Sequence, residues 1–176
     1  ATSIKEYADT VRAVAFTPDG KYCVASSGYA SPTIDVFDLS GRLASQFKGL
    51  EGRVLALTVS PDGSHLVSLD VDSYSYRSML RLWDFRSNEL IKKISVDESQ
   101  TCGAFSRDAR FAIIGGKTGT VTLYNVFTGE RIISWRTAQG ETISTVAISA
   151  DSRFALSGGA DNKVRYWGLP KVTQVP

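Results

Sequence analysis

Cysteine, histidine and methionine are almost missing from this 176-residue chain, which has two, one and one of them. Cys23 and Cys102 stand far apart in apolar stretches without companion histidines, so neither a disulfide framework nor a zinc site is built from them. They read as buried free thiols of a reducing compartment. The lone His65 lies at the start of an apolar strand with no acidic or Cys neighbour at ligand spacing, so it reads as structural rather than as a general base. Charge of one sign is also lacking: 20 basic against 18 acidic residues leave a net charge of +2, interspersed, with no basic face for a nucleic acid and no acidic tail. No apolar run approaches the ~20 residues that span a bilayer. The start, "ATSIKEYADT", has no signal-peptide pattern and no initiator Met, which suggests a chain processed or excised from something longer. No N-x-[ST] acceptor occurs, in keeping with a cytoplasmic or otherwise intracellular protein. No stretch carries a helical period.

What is present is a globular composition, 43% hydrophobic and 22% charged, long enough for one domain with a real core. It is arranged as a repeat. "VRAVAFTPDGKYCVAS" from Val11, "VLALTVSPDGSHLVSL" from Val54, "QTCGAFSRDARFAIIG" from Gln100 and "ISTVAISADSRFALSG" from Ile143 share one pattern. Their turn aspartates, Asp19, Asp62, Asp108 and Asp151, are 43, 46 and 43 residues apart. A second landmark follows each turn: Phe37, Trp83, Tyr124 and Trp167, trailed by Asp38, Asp84, Asn125 and Gly168. Period-two alternation with β-branched and aromatic residues predicts strands, and the Pro, Asp and Gly clusters predict hairpin turns. The chain is all-β.

A period near 43 residues, "FTPDG" or "VSPDG" closing one strand and "LRLWDF" later, resembles the WD-repeat family of β-propellers over nearly the whole chain. The resemblance implies one four-stranded blade per repeat, each burying its neighbour's face. The family's Gly-His pair is missing: Tyr7, Leu50, Val96 and Gln139 fall near the place of its His. The buried His–Ser/Thr–Asp–Trp network is therefore incomplete in every blade, and apolar packing is expected to replace it. Blades are expected at about 11–49, 50–96, 97–138 and 139–170, with residues 3–10 as a closing strand for the last. Four blades are few for this family. The chain is then half of a larger ring, one half of a two-chain eight-bladed ring joined head to tail, or a closed four-bladed monomer.

Two motifs fail on inspection. Gly116-Lys117-Thr118 matches the end of a phosphate loop, but Phe111 stands where its first Gly belongs and a strand follows instead of a helix. "DVDSYS" from Asp70 opens like a calcium loop, but the Gly and closing Glu are absent, and a solvated acidic loop is the better reading. From turn Asp to the residue after the aromatic, the second repeat needs 22 residues where the third and fourth need 17, so five are inserted between its second and third strands. The first repeat carries two extra there. By the resemblance these loops share one face of the disc, which would bring Tyr29 and Pro32 near Tyr74, Tyr76 and Arg77. Tyr and Arg suit binding hot spots, so these five are the candidate protein-binding residues. The resemblance implies a non-catalytic scaffold for protein–protein contact, without cofactor, metal, nucleic acid or membrane. A structural half-ring whose main partner is its own copy or a missing complement is the alternative, and an enzyme with a loop-borne site a more distant one.

Overall fold

In the computed structural model the protein is built of strands, and residues 5, 7, 10–26, 32–72, 75, 77–96 and 99–170 are described, with no helix among them. The first sheet holds β1 (Val14–Phe16), β2 (Tyr22–Ser26), β3 (Ile34–Asp38) and β4 (Leu43–Phe47). The second holds β5 (Gly52–Val59), β6 (His65–Asp72), β7 (Ser78–Asp84) and β8 (Leu90–Val96). The third holds β9 (Gln100–Phe105), β10 (Phe111–Gly116), β11 (Thr120–Asn125) and β12 (Arg131–Arg136). The fourth has three strands among the described residues, β13 (Ile143–Ile148), β14 (Phe154–Gly159) and β15 (Val164–Gly168). Strands follow chain order in every sheet and pair antiparallel, so each sheet is a meander of hairpins. These are the blades of a β-propeller of about four blades. No strand of the first sheet pairs with one of the last among the described residues.

The hairpin between first and second strands is one device made four times. Thr17, Ser60, Ser106 and Ser149 donate from their hydroxyls to Asp19, Asp62, Asp108 and Asp151, at 2.6 Å in every case. Each carboxylate also accepts the backbone N–H two residues on, from Lys21, Ser64, Arg110 and Arg153. Each hydroxyl accepts the N–H of the residue opening the next strand: Tyr22, His65, Phe111 and Phe154. The residue after the Asp is left-handed throughout. It is Gly20 and Gly63 in the first two sheets, both at φ 68°, but Ala109 at 58° and Ser152 at 54° in the others. Asp38, Asp84 and Asn125 cap the turn after the third strand in the same way, accepting two backbone N–H groups each. Gly168, with no side chain, has no such cap.

The sheets stack through equivalent positions. Val24, Ile34 and Val36 of the first meet Leu57, Val59, Leu66 and Trp83 of the second. Val67, Leu80 and Leu82 of the second meet Ala112, Ile114 and Tyr124 of the third. Ile113, Val121 and Leu123 of the third meet Ile143, Ala155 and Trp167 of the fourth. The middle of each second strand and alternate residues of the third thus face the next sheet, while some residues of the innermost strand, such as Leu57, Val59 and Phe105, and the third-strand aromatic face the previous one. An aromatic of the outermost strand adds to two of these contacts, Phe47 on Trp83 at 5.7 Å and Trp135 on Trp167 at 5.5 Å between ring centroids. Each fully buried aliphatic side chain contributes about 1.5–3 kcal/mol of transfer free energy, so stability accrues sheet by sheet between nearest neighbours.

Candidate functional site

The insertion in the second repeat lengthens a hairpin. β6 and β7 run eight and seven residues, against six each for β10 and β11. Their ladder continues through Asp70↔Met79 and Val71↔Ser78. Beyond it the N–H of Asp72 donates to the carbonyl of Arg77 at 2.9 Å. Ser75 donates its hydroxyl to the Asp72 carboxylate at 2.6 Å and accepts the N–H of Arg77 at 3.3 Å. Ser75 and Arg77 are exposed at the tip, while Val71 and Ser78 below are buried. On the inner side β5 follows the same rise, pairing Gly52 with Asp72; a Cβ at Gly52 would stand 1.9 Å from the Val71 carbonyl oxygen. A glycine is required there for close approach.

Of the candidate binding residues, Pro32 is half-buried just before β3 and Arg77 is exposed just before β7, at the same end of adjacent sheets. Tyr29, Tyr74 and Tyr76 lie outside the described residues.

Asp70 corrects the expectation of a solvated acidic loop. It belongs to β6, is fully buried, and receives the guanidinium of Arg81, itself buried, through Nε–Oδ1 at 2.7 Å and Nη2–Oδ2 at 3.1 Å. Arg81 also donates from Nη1 to the carbonyl of Gly49 at 3.2 Å. Glu51 lies 3.5 Å from Nη2 and accepts from Lys93 at 2.5 Å, carrying the network to the surface. Burial pushes the Asp70 carboxyl up, opposed by the Arg81 hydrogen bonds and charge. The hydrogen bond from Lys93 holds Glu51 below its usual range.

Arg81 escaped the sequence reading, although a signal existed. In "IDVF", "LRLW", "VTLY" and "VRYW" the residue two before the aromatic is polar within an apolar strand. Each has a built partner. Asp35, fully buried, accepts from Lys5 Nζ at 2.6 Å, Tyr7 OH at 2.9 Å and Gln46 Nε2 at 2.7 Å. Burial opposes its charge, but those hydrogen bonds outweigh it and the carboxyl is held below its usual range. Burial and the bond to Asp35 push the Tyr7 phenol up. Thr122 bonds Ser134 at 2.7 Å, and Arg165 pairs with Asp161.

The expectation that apolar packing replaces the family's network also needs correction. The indole of Trp83 donates to Ser68 at 3.0 Å and that of Trp167 to Ser157 at 2.9 Å. The Trp–Ser half survives, joined in the second sheet by the Arg81–Asp70 pair. Leu50 and Val96, in place of the His, are each buried among apolar neighbours, so apolar replacement holds at those two positions.

His65 packs edge-on to Phe127 at 5.3 Å, its Nδ1 2.5 Å from Ser64 Oγ. The Ser64 hydroxyl lies between His65 and Asp62, so no imidazole is positioned between an acid and a nucleophile. Gly116 to Thr118 form the β10–β11 turn, where the N–H of Lys117 donates to the carbonyl of Ser99. Both cysteines are free and half-buried; burial pushes the Cys102 thiol up. Among the described residues no three His, Cys, Asp or Glu side chains gather as for a metal ion. Among the described residues no helix is long and apolar enough to cross a membrane.

Stacked four-stranded meanders with a third-strand aromatic tied to a second-strand serine define a repeat propeller. The family description "WD domain, G-beta repeat" matches residues 2–38, 41–84 and 129–168, and the chain belongs to the WD-repeat family. The second and third matched segments open at or just before the outermost strand ahead of a blade, and all three end at that blade's third strand. Most of the third blade is left unmatched, although its four strands are complete. The chain is similar to WD repeat-containing protein 26 homolog of Drosophila melanogaster, 30% identical over 87% of this chain and 24% of that protein. It is similar to human WD repeat-containing protein 36, 26% identical over 92% of this chain and 18% of that one. It is also 23% identical to small ribosomal subunit protein RACK1 of Neurospora crassa, over 94% of this chain and 53% of that one. The chain therefore spans from 12% to 53% of the length of such curated relatives.

Proposed function

We propose that this chain is a non-catalytic scaffold for protein–protein contact, intracellular, binding through one face and the edges of its blades. The observation that carries the proposal is the second-repeat insertion: it raises a braced hairpin above a rigid stack and leaves Arg77 exposed at its tip. With Pro32 at the same end of the first blade, and Tyr29, Tyr74 and Tyr76 in the same loops by sequence, the surface would offer aromatic area and a guanidinium to a partner. The family membership supports this reading, as does a site chemistry that lacks a positioned base and nucleophile among the described residues. The test is capture by the immobilised chain, compared with the combined Tyr74→Ala, Tyr76→Ala and Arg77→Ala variant. Proteins held by the first should be released by the second while the melting curve stays in place; an unchanged set counts against the surface.

A second reading is favoured by a specific observation: the two end blades leave apolar faces uncovered. On it the chain, with blades at about 11–49, 50–96, 97–138 and 139–170, is part of a ring completed by a further copy or a complementary segment. Residues 3–10 would then act as the outermost strand of the blade that precedes the first. Most of that segment lies outside the described residues, but Lys5 and Tyr7 lie against Asp35, and Lys5 Nζ stands 5.8 Å from the Phe37 ring centre. Phe47 of one outermost strand meets Trp83 of the next blade in a comparable way.

A further inference from the structure

The residue two before the third-strand aromatic reaches backward in some blades and not in others. Thr122 bonds Ser134 of its own sheet and Arg165 pairs with Asp161 of its own hairpin, and both of those repeats lack extra residues. In the first two repeats, which carry the extra residues, the same position grips the segment leading into its sheet. Asp35 accepts from Lys5 and Tyr7. Arg81 goes further, because one guanidinium serves two segments. Its Nε and Nη2 hold Asp70 at the base of the inserted hairpin, while Nη1 donates to the Gly49 carbonyl and Nη2 faces Glu51. Residues 48–51 are the link from β4 to β5. Leu50 is buried among residues of the first two sheets, Glu51 is bound by Lys93 of β8, and Gly52 pairs with Asp72 near the hairpin tip. The link is thus fastened to the hairpin at its middle and at its end, and Lys48 and Glu51 stand exposed on it.

We propose that Arg81 is the positioning residue of the candidate surface: it joins the link and the inserted hairpin into one body, so that a partner meeting Arg77 at the tip also meets Lys48 and Glu51. The inference rests on the scaffold reading above and extends its surface to a second segment. A guanidinium suits the task, because its planar fork holds a carboxylate with two donors and keeps others for a carbonyl. A lysine offers Asp70 a charge without that fork.

Trypsin reads the tie. Cleavage after Lys48 needs the link to lift from Arg81, whereas cleavage after Arg86, exposed in the turn between β7 and β8, does not. Two variants of the 176-residue chain are compared with the wild type. Asp70→Leu with Arg81→Met removes both charges, and Arg81→Lys keeps the one that faces Asp70. In both, cleavage after Lys48, followed by mass spectrometry, should rise at least about tenfold, which the loss of one charge-assisted hydrogen bond is enough to give. Cleavage after Arg86 should stay as in the wild type, and the urea midpoint of the double variant close to it. Unchanged cleavage after Lys48 in either variant overturns the proposal; so does an equal rise after Arg86, which would mean general loosening. Capture separates this role from the scaffold reading. Proteins released by the tip variant should also be released by the Arg81 variants, whose Tyr74, Tyr76 and Arg77 are intact. Capture that persists while Lys48 is cleaved faster overturns the positioning role and leaves the surface standing. A tip variant that releases nothing removes the surface, and the role with it.

Discussion

Arg81 and Asp70 form a fully buried, two-bonded ion pair across β6 and β7, at 2.7 Å and 3.1 Å, directly beneath the inserted hairpin. Burying two charges costs several kcal/mol per ion, offset only when geometry and additional hydrogen bonds are good. Here the Gly49 carbonyl and Glu51 supply further partners for the guanidinium. Arg81→Met alone should strand the Asp70 carboxylate and destabilise the protein by about 3–5 kcal/mol. Asp70→Leu together with Arg81→Met should recover most of that loss. Urea titration of both variants decides; equal losses would mean that the pair is not coupled as its geometry indicates.

Ser68 and Ser157 offer a paired comparison. Each accepts an indole N–H, but Trp83 is buried whereas Trp167 is half-buried. Ser68→Ala should cost about 1–3 kcal/mol, because the Trp83 N–H then has no partner and little water. Ser157→Ala should cost less. Denaturant midpoints of the two variants read the difference, and a larger loss for Ser157→Ala would contradict the burial argument.

Ser152 holds φ 54° where Gly20 and Gly63 stand in the first two blades. A left-handed backbone at a non-glycine residue costs about 1–2 kcal/mol. Ser152→Gly should therefore raise the melting temperature, by the equivalent of some fraction of about 1 kcal/mol once the unfolded chain's added freedom is set against it. Ala109, at φ 58°, is the same position in the third blade but is buried, so filling or emptying its site confounds the backbone effect.

The turn aspartates set an acid limit. The hydroxyl of Ser60 and the backbone and hydroxyl of Ser64 hold Asp62 down to about 2. Asp19 and Asp151 are lowered chiefly by Thr17 and Ser149. A carboxyl whose folded value lies below its unfolded one, near ~3.9, contributes stability that is present above ~4 and lost as the pH falls through the folded value. Stability should thus decline from about pH 4 towards about pH 2. Asp62→Asn should flatten that decline, as measured by thermal melts at stepped pH; a slope identical to the wild type's would exclude the turn as its source.

The repeat, the all-β class and the hairpin turns were legible because each rests on local chemistry written several times: an Asp in a turn, an alternating strand, an aromatic. The buried polar partners were not. Arg81 and Asp70 are eleven residues apart on neighbouring strands, and no turn signature joins them; the spacing of "DVDSYS" pointed instead to a solvated loop. Reading the polar residue two before each aromatic as a buried position would have found Asp35, Arg81 and Thr122, and the half-buried Arg165. The insertion was countable from spacing, but its extension of the ladder depends on Gly52 admitting the Val71 backbone, a contact between strands.

The hydroxyl–aspartate hairpin, made four times from residues two apart, has a kinetic consequence. Each blade carries its own short-range nucleus, and every later strand joins its predecessor, so assembly can begin in any blade and spread to its neighbours. The middle blades, buttressed on both sides, should exchange their amide protons last. In the isolated 176-residue chain the end blades, with one neighbour each, should open first, and protection should rise to a maximum near β6 and β10 and fall towards both ends; a complemented ring should level that profile.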